Sequence, residues 1–278
     1  MISAEHLRAR AHITAALRGW FSAQGYLEVH TPTLVSSPAM EEHLEAVAVG
    51  RLFLHTSPEF AMKRVLAAGL HRIYQIAPCF REEEAGVHHS REFTLLEWYR
   101  AGAGTAELMD EVESLIAAAA QAIGVAPPVF SRIPVHQLLP DTGSPDDWFY
   151  RWVSEVEPRL TAPTIVYGYP PWQSALATLR GGLADRFEVY LGGIELANCF
   201  AEETDSAVLA ARWEASNAAR AKAGRPPHPV DHGLLTAIDQ MPRCAGIALG
   251  LDRLVMALTG APSIALVQVR PDEPEKTP

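Results

Sequence analysis

Ile13, Leu17, Trp20 and Phe21 recur at helical spacing between Ser3 and Gly25, which predicts a first helix capped by Ser3 and stopped by the glycine. Tyr26–Thr33 then reads as extended and is closed by Pro32. Strand-like stretches follow around Leu52–Thr56, Arg72–Phe80 and Glu92–Arg100, with the polar segment Glu82–Ser90 between the last two. Thr105 is placed to cap a helix that carries Leu108, Val112, Leu115 and Ile116 on one face and ends at Gly124. Arg186–Phe200 reads as a hairpin, Asp205–Ala223 as a helix, and Cys244–Gly250 as a strand running into a helix from Leu251. Residues 125–170 are rich in Pro and loop formers, with little periodicity, and are expected to form a variable insertion. Strands bunched in hairpins, with helices between the groups, predict an α+β fold built on a largely antiparallel sheet flanked by helices. A single domain over residues 1–270 with a disordered tail at 271–278 is the simplest organisation.

Composition narrows the setting. With 48% hydrophobic and 20% charged residues, the chain has the makings of an ordinary packed core. No apolar run approaches the roughly 20 residues needed to span a bilayer, and no basic segment followed by an apolar block marks a secretory leader. Cys79, Cys199 and Cys244 lie far apart without a CxxC pair, so neither a zinc site nor a disulfide framework is expected, and a cytoplasmic setting fits. The formal charge of −10 weighs against a nucleic acid such as tRNA as the obligatory partner, although a local basic patch can coexist with a negative total.

Three segments carry candidate chemistry. In Glu188–Glu195, a two-residue Gly192-Gly193 turn would pair Leu191 with Ile194 and Tyr190 with Glu195. Alternation then sets Glu188, Tyr190, Glu195 and Ala197 on one face and sends Asn198 and Phe200 to the other, unless a bulge intervenes. Two carboxylates on one face suit Mg2+ shared with substrate phosphates, but spacing alone favours a solvated sheet face with incidental acids. The second segment runs from Phe80-Arg81-Glu82-Glu83-Glu84 to the returning Arg91–Tyr99. Arg81 at a strand end can offer its planar fork to a phosphate, and an aromatic on the returning strand can stack on a base; a surface hairpin with Arg–Glu pairs would show the same pattern. In the third, Gly246–Met256, a small-residue strand enters a helix with Arg253 in its first turn, where the helix end already favours anions. It lacks both the GxGxxG order and the GxxxxGK[ST] loop.

Taken together and in this order, the segments resemble the three motifs of class II aminoacyl-tRNA synthetases. Gly25–Pro32 is similar to motif 1, Phe80–Tyr99 to motif 2 and Gly246–Met256 to motif 3. Ser57–Arg64 and Gly193–Glu202 resemble the lysyl-tRNA synthetases in particular. Arg186–Tyr190, Ile194–Asn198, Leu96–Arg100 and Cys244–Arg253 resemble the stand-alone members of that family that modify translation elongation factor P. The first helix runs straight into motif 1, so no N-terminal anticodon-binding OB domain is expected. The likeness spans nearly the whole chain outside 125–170.

What the resemblance implies is specific. The fold would be the synthetase sheet, and a homodimer would form through residues 25–32. ATP with Mg2+ would activate a lysine-like amino acid, and elongation factor P would be the acceptor, with tRNA a less suitable one. Arg81 would clamp the α-phosphate and the substrate carboxylate, and Arg253 the terminal phosphate. Phe93 would stack on adenine, with Glu83, His89 and Gly250 completing the ATP site, and Glu188 and Glu195 would hold the metal. Glu59 and Asn198 would take the α-amino and carboxylate ends of the amino acid, while Glu97, Tyr99 and Glu202 would surround its far ammonium. Ala248 stands where lysyl-tRNA synthetases carry glycine, and one methyl on a pocket wall is worth roughly 1–3 kcal/mol of discrimination. Cys199 and Glu203 also depart from that pattern beside the expected pocket, as do Glu82 and Arg91 in motif 2. Transfer to another acceptor and a non-catalytic synthetase-like protein are the competing readings; the motif arginines and both metal carboxylates are present.

Overall fold

A computed structural model of the chain describes residues 3–42, 44–82, 86–140 and 142–269. The first helix, α1 (Ala4–Ala23), starts at Ser3, whose hydroxyl accepts from the His6 N–H at 3.4 Å, and it buries Ile13, Leu17 and Phe21. Three short strands, β1 (Leu27–Glu28), β2 (Leu34–Val35) and β3 (Ala48–Val49), precede β4 (Leu52–Leu54). Helix α2 (Glu59–Ala67) leads to the long hairpin of β5 (Arg72–Phe80) and β6 (Glu92–Ala101). Helix α3 (Thr105–Ala122) is capped one residue earlier than expected. The Gly104 N–H donates to the Glu107 carboxylate at 2.9 Å, while the Thr105 hydroxyl donates to Asp185 at 2.7 Å instead of capping.

The segment expected as a loop-rich insertion is built into the main sheet. It contains β7 (Ser131–Pro134), α4 (Val135–Leu138), α5 (Pro145–Arg151) and β8 (Thr164–Tyr169). Trp148, Trp152, Val156 and Leu160 pack against Val166, Tyr169 and Tyr190 as a separate apolar cluster. Next come β9 (Leu179–Arg180), β10 (Leu183–Leu191), β11 (Ile194–Ala201), α6 (Ser206–Lys222) and α7 (His232–Ile238). The chain then forms β12 (Cys244–Gly250) and, with no loop, α8 (Leu251–Thr259). The expected tail at 271–278 lies outside the described residues.

The main sheet runs β1-β5-β6-β12-β11-β10-β8-β7, with β9 added beside β10. Its central pairings are antiparallel and the two outermost, β1·β5 and β7·β8, are parallel. This is an α+β architecture, as patterning implied. One face is the core: Leu96, Trp98, Phe187, Val189, Ile247 and Leu249 pack against Leu17, Phe21, Val112, Ile116, Leu254 and Val255 of the helices. Each such side chain contributes about 1.5–3 kcal/mol relative to exposure. The opposite face is left for function.

Register at the β10–β11 hairpin decides what that face displays. Gly192 and Gly193 have φ of 64° and 77°, the left-handed pair that a two-residue hairpin turn requires. Tyr190 pairs with Glu195 and Leu191 with Ile194 as expected, but Val189 pairs with Ala197, leaving Leu196 as an extra residue. A single bulge reverses the facing of everything downstream. Asn198 therefore lies opposite Glu188, joining it on the functional face. Ala197, expected beside Glu188, sits in the core with Val189 and Cys199.

Candidate functional site

The free face of the sheet floors a cleft of about 930 Å³. Paired residues cross it in rows. Glu97, Ala248, Asn198 and Glu188 form one row, and Tyr99, Gly246, Phe200 and Arg186 form the next. Small residues on β12 lower the middle of the floor. At Gly246 the reason is steric: a Cβ would stand 2.2 Å from Tyr99 Cε1 and 2.6 Å from Glu202 Oε1.

One end of the cleft is an acidic chamber. Glu59 opens α2, and one turn later Lys63 donates to its Oε1 at 2.5 Å. Lys63 also reaches Glu202 Oε2 at 2.7 Å; the approach is off-line, so that oxygen has an ion pair but no well-aligned hydrogen bond. The Ser57 hydroxyl donates to Glu97 at 2.6 Å and accepts from the Glu59 N–H at 3.0 Å, which ties the two acids to one loop. The Tyr99 hydroxyl donates weakly to Glu97 at 3.4 Å. Burial, with the negative charge of Glu59, pushes Glu97 up to about 8. Burial also raises Glu202, against the pull of Lys63. Desolvation alone would lower Lys63, but its two carboxylate partners outweigh that and raise it, so it stays an ammonium. The buried Asn198 Oδ1 has no hydrogen-bond partner among the described residues.

The other end is more open and basic. Arg253, in the first turn of α8, donates to the His88 carbonyl at 3.2 Å and to the Glu195 carbonyl at 3.0 Å. Its Nη2 also lies 2.7 Å from His89 Nε2, so one side chain ties residues 88–89 to β11. The Arg81 guanidinium lies over the Phe93 ring, 5.0 Å from its centroid, bringing the expected phosphate clamp and base platform together. Gly250 caps α8 and lines the cleft beside Arg253. Glu83 lies outside the described residues.

Glu188 and Glu195 stand between the two ends. Glu188 accepts from the hydroxyls of Tyr169 and Tyr190 and pairs with Arg186. Crowding in the cleft and the charge of Glu188 raise Glu195, an effect tempered by the 39% of its side chain that stays accessible. This donor set suits Mg2+, a hard cation commonly held by one or two carboxylates that completes its shell with phosphate and water.

Every described site residue expected from sequence lines this one cleft. Two neighbouring departures do not. Cys199 faces the core, and the Glu203 carboxylate turns to Arg212 at 3.4 Å. Glu82 and Arg91 pair with each other at the surface. Sequence reasoning overlooked Lys63, Ser57, Arg186, Tyr169 and Glu157. Of these, Lys63 left a legible sign, four residues after Glu59 on a helix. Glu157, held by Tyr190 at 3.2 Å and raised by burial and by Glu188, comes from the segment that had been set aside.

An antiparallel sheet with buried acids at one end of its cleft and motif arginines at the other defines a class. Residues 2–274 match the family described as tRNA synthetases class II (D, K and N), and the chain belongs to it. Among its relatives is an elongation factor P--(R)-beta-lysine ligase of Vibrio vulnificus (strain YJ016), 38% identical over an alignment of 303 positions that covers 94% of each chain. The protein of that name from Vibrio campbellii is 39% identical, over 97% of this chain and 96% of its own. That from Yersinia enterocolitica is 37% identical, over 94% and 93%.

Proposed function

We propose that this protein is an ATP-dependent aminoacyl ligase that activates lysine or (R)-β-lysine as an adenylate and transfers it to a lysine side chain of elongation factor P. The observation that carries the reading is the acidic chamber of the buried Glu97 and Glu202 and the half-buried Glu59, in the same cleft as Arg81. A ligand with two ammonium groups and one carboxylate matches that order of charges. An analogue without the far ammonium would leave a buried acid unpaired, which is the costly case.

In the first step a carboxylate oxygen of the amino acid attacks the α-phosphorus of ATP. An O–P bond forms, the bond to the bridging oxygen breaks, and pyrophosphate leaves with the electron pair. Two anions must meet, so the protein's task is positioning and positive charge rather than general-base catalysis. Arg81 serves the α-phosphate and substrate carboxylate, Arg253 with His89 the terminal phosphate, and Phe93 the adenine. Asn198, with its unpartnered Oδ1, and Glu59 take the reacting end of the amino acid; Glu97, Tyr99 and Glu202 take the far ammonium, over Ala248. Glu188 and Glu195 would hold Mg2+, which neutralises phosphate charge when bound. In the second step the neutral ε-amine of the acceptor lysine attacks the acyl carbon, a C–N bond forms, AMP departs, and the amine loses a proton.

Pairing through residues 25–32 into a homodimer is part of the proposal, and Leu27 there keeps 52% of its surface exposed. No helix among the described residues is long and apolar enough to cross a membrane, which suits work on a translation factor in the cytoplasm. Amino-acid-dependent ATP–pyrophosphate exchange tests the first step. Exchange with lysine or (R)-β-lysine, lost in Arg81→Ala, is expected; no exchange with either would overturn the assignment.

A further inference from the structure

Among the described residues, Lys63 is the cation that sits within the acidic chamber, between Glu59 and Glu202. Lys63 is 1% exposed and has no role in the chemistry set out above, yet it touches both acids assigned to opposite ends of the amino acid. We propose that Lys63 is a positioning residue: an internal ammonium that clamps Glu59 to Glu202 and so sets the spacing at which the site reads the two ammonium groups of a diamino acid. The proposal rests on the activity proposed above and adds the residue that fixes substrate length.

Three features argue for a clamp. Glu59 is free to swing on the first turn of α2 except for Lys63, which holds it at 2.5 Å from the next turn of the same helix. Glu202 has no room to retreat into the sheet, because its carboxylate already occupies the space a Cβ on Gly246 would need. The chamber also holds three carboxylates against one ammonium, an excess of acid that a ligand with two ammonium groups neutralises. Without Lys63, Glu59 and Glu202 repel, and nothing else among the described residues bridges them. A buried acid deprived of its counterion protonates or moves. Both responses change which chain length fits.

Lysine and ornithine, one methylene shorter, read this out as a ratio of kcat/KM in ATP–pyrophosphate exchange. The ratio does not depend on the fraction of active enzyme, so a merely structural role for Lys63 would leave it unmoved. Lys63→Met is expected to raise KM for lysine about tenfold or more, leave KM for ATP within about twofold, and collapse the lysine preference. Lys63→Arg keeps the charge but lengthens the clamp, so it should retain more activity while still shifting the ratio. An unchanged ratio in both variants overturns the proposal; if Lys63→Met is unfolded or inactive, the ratio in Lys63→Arg decides. Absence of exchange with both lysine and (R)-β-lysine in the wild-type protein would instead sink the proposed function.

Discussion

At the amino-acid end of the cleft, Glu97 and Glu202 keep 1% and 3% of their surface, and their neighbours are strands β6 and β12, helix α2 and the fixed Ser57. At the other, more open end, Arg253 keeps 23% of its side chain exposed and is tied largely to main-chain carbonyls and to residues 88–89. The first region is organised before any ligand arrives, with ion pairs inside a low-dielectric chamber. The second is a set of donors on loops and a helix end, which a triphosphate can rearrange at little cost. Under the proposed function, selectivity for the amino acid would therefore belong to rigid, buried charge, and ATP would be held by groups that adapt.

Four substitutions or titrations probe that contrast. Arg253→Ala should lower adenylate formation by about 10³-fold, measured by pyrophosphate exchange, with an unchanged thermal midpoint because its contacts lie on the cleft surface. An undiminished rate would remove it from the site. Glu202→Gln should raise KM for lysine by about 10²-fold and leave KM for ATP nearly constant. Equal loss for both substrates would erase the distinction between the two ends. Gly246→Ala should cost about 1–3 kcal/mol of stability and weaken lysine more than ATP, because the new methyl meets Tyr99 and Glu202.

The smallest effect is the pH response of Glu97. Its pKa rises on folding from 4.5 to about 8, so between those values the native state binds the extra proton. Ligand-free stability should therefore fall as pH rises from about 4.5 to about 8. Lysine favours the ionised carboxylate, so its KM should fall over the same window, and Glu97→Gln should weaken both trends, leaving the part carried by Glu202. A pH-independent KM in the wild type would contradict a charged contact there.

The framework of this site was legible where local pattern carries it. The two strands of the β5–β6 hairpin and the β12–α8 junction have long alternating runs or sharp small-residue boundaries, so Arg81, Phe93, Glu97 and Arg253 fell where expected. The bulge at Leu196 was not readable, because nothing in Ile194–Asn198 marks which residue the opposite strand will skip. Strands β7 and β8 escaped for a different reason. They are short and pair in parallel with each other across a long intervening segment, and β8 alone of the two joins β10, so their stability comes from tertiary packing around Trp148 and Trp152. Lys63 was visible only as part of the Ser57–Arg64 segment until the fold placed it on a helix and brought Glu202 to it.

The most direct test of the central claim is the intact mass of elongation factor P from the same source, after incubation with this protein, ATP, Mg2+ and either lysine or (R)-β-lysine. The account predicts an increase by one lysyl residue on the acceptor, absent with Arg81→Ala. An unmodified acceptor with both amino acids, under conditions where pyrophosphate exchange proceeds, would contradict elongation factor P as the acceptor and leave the adenylate to another.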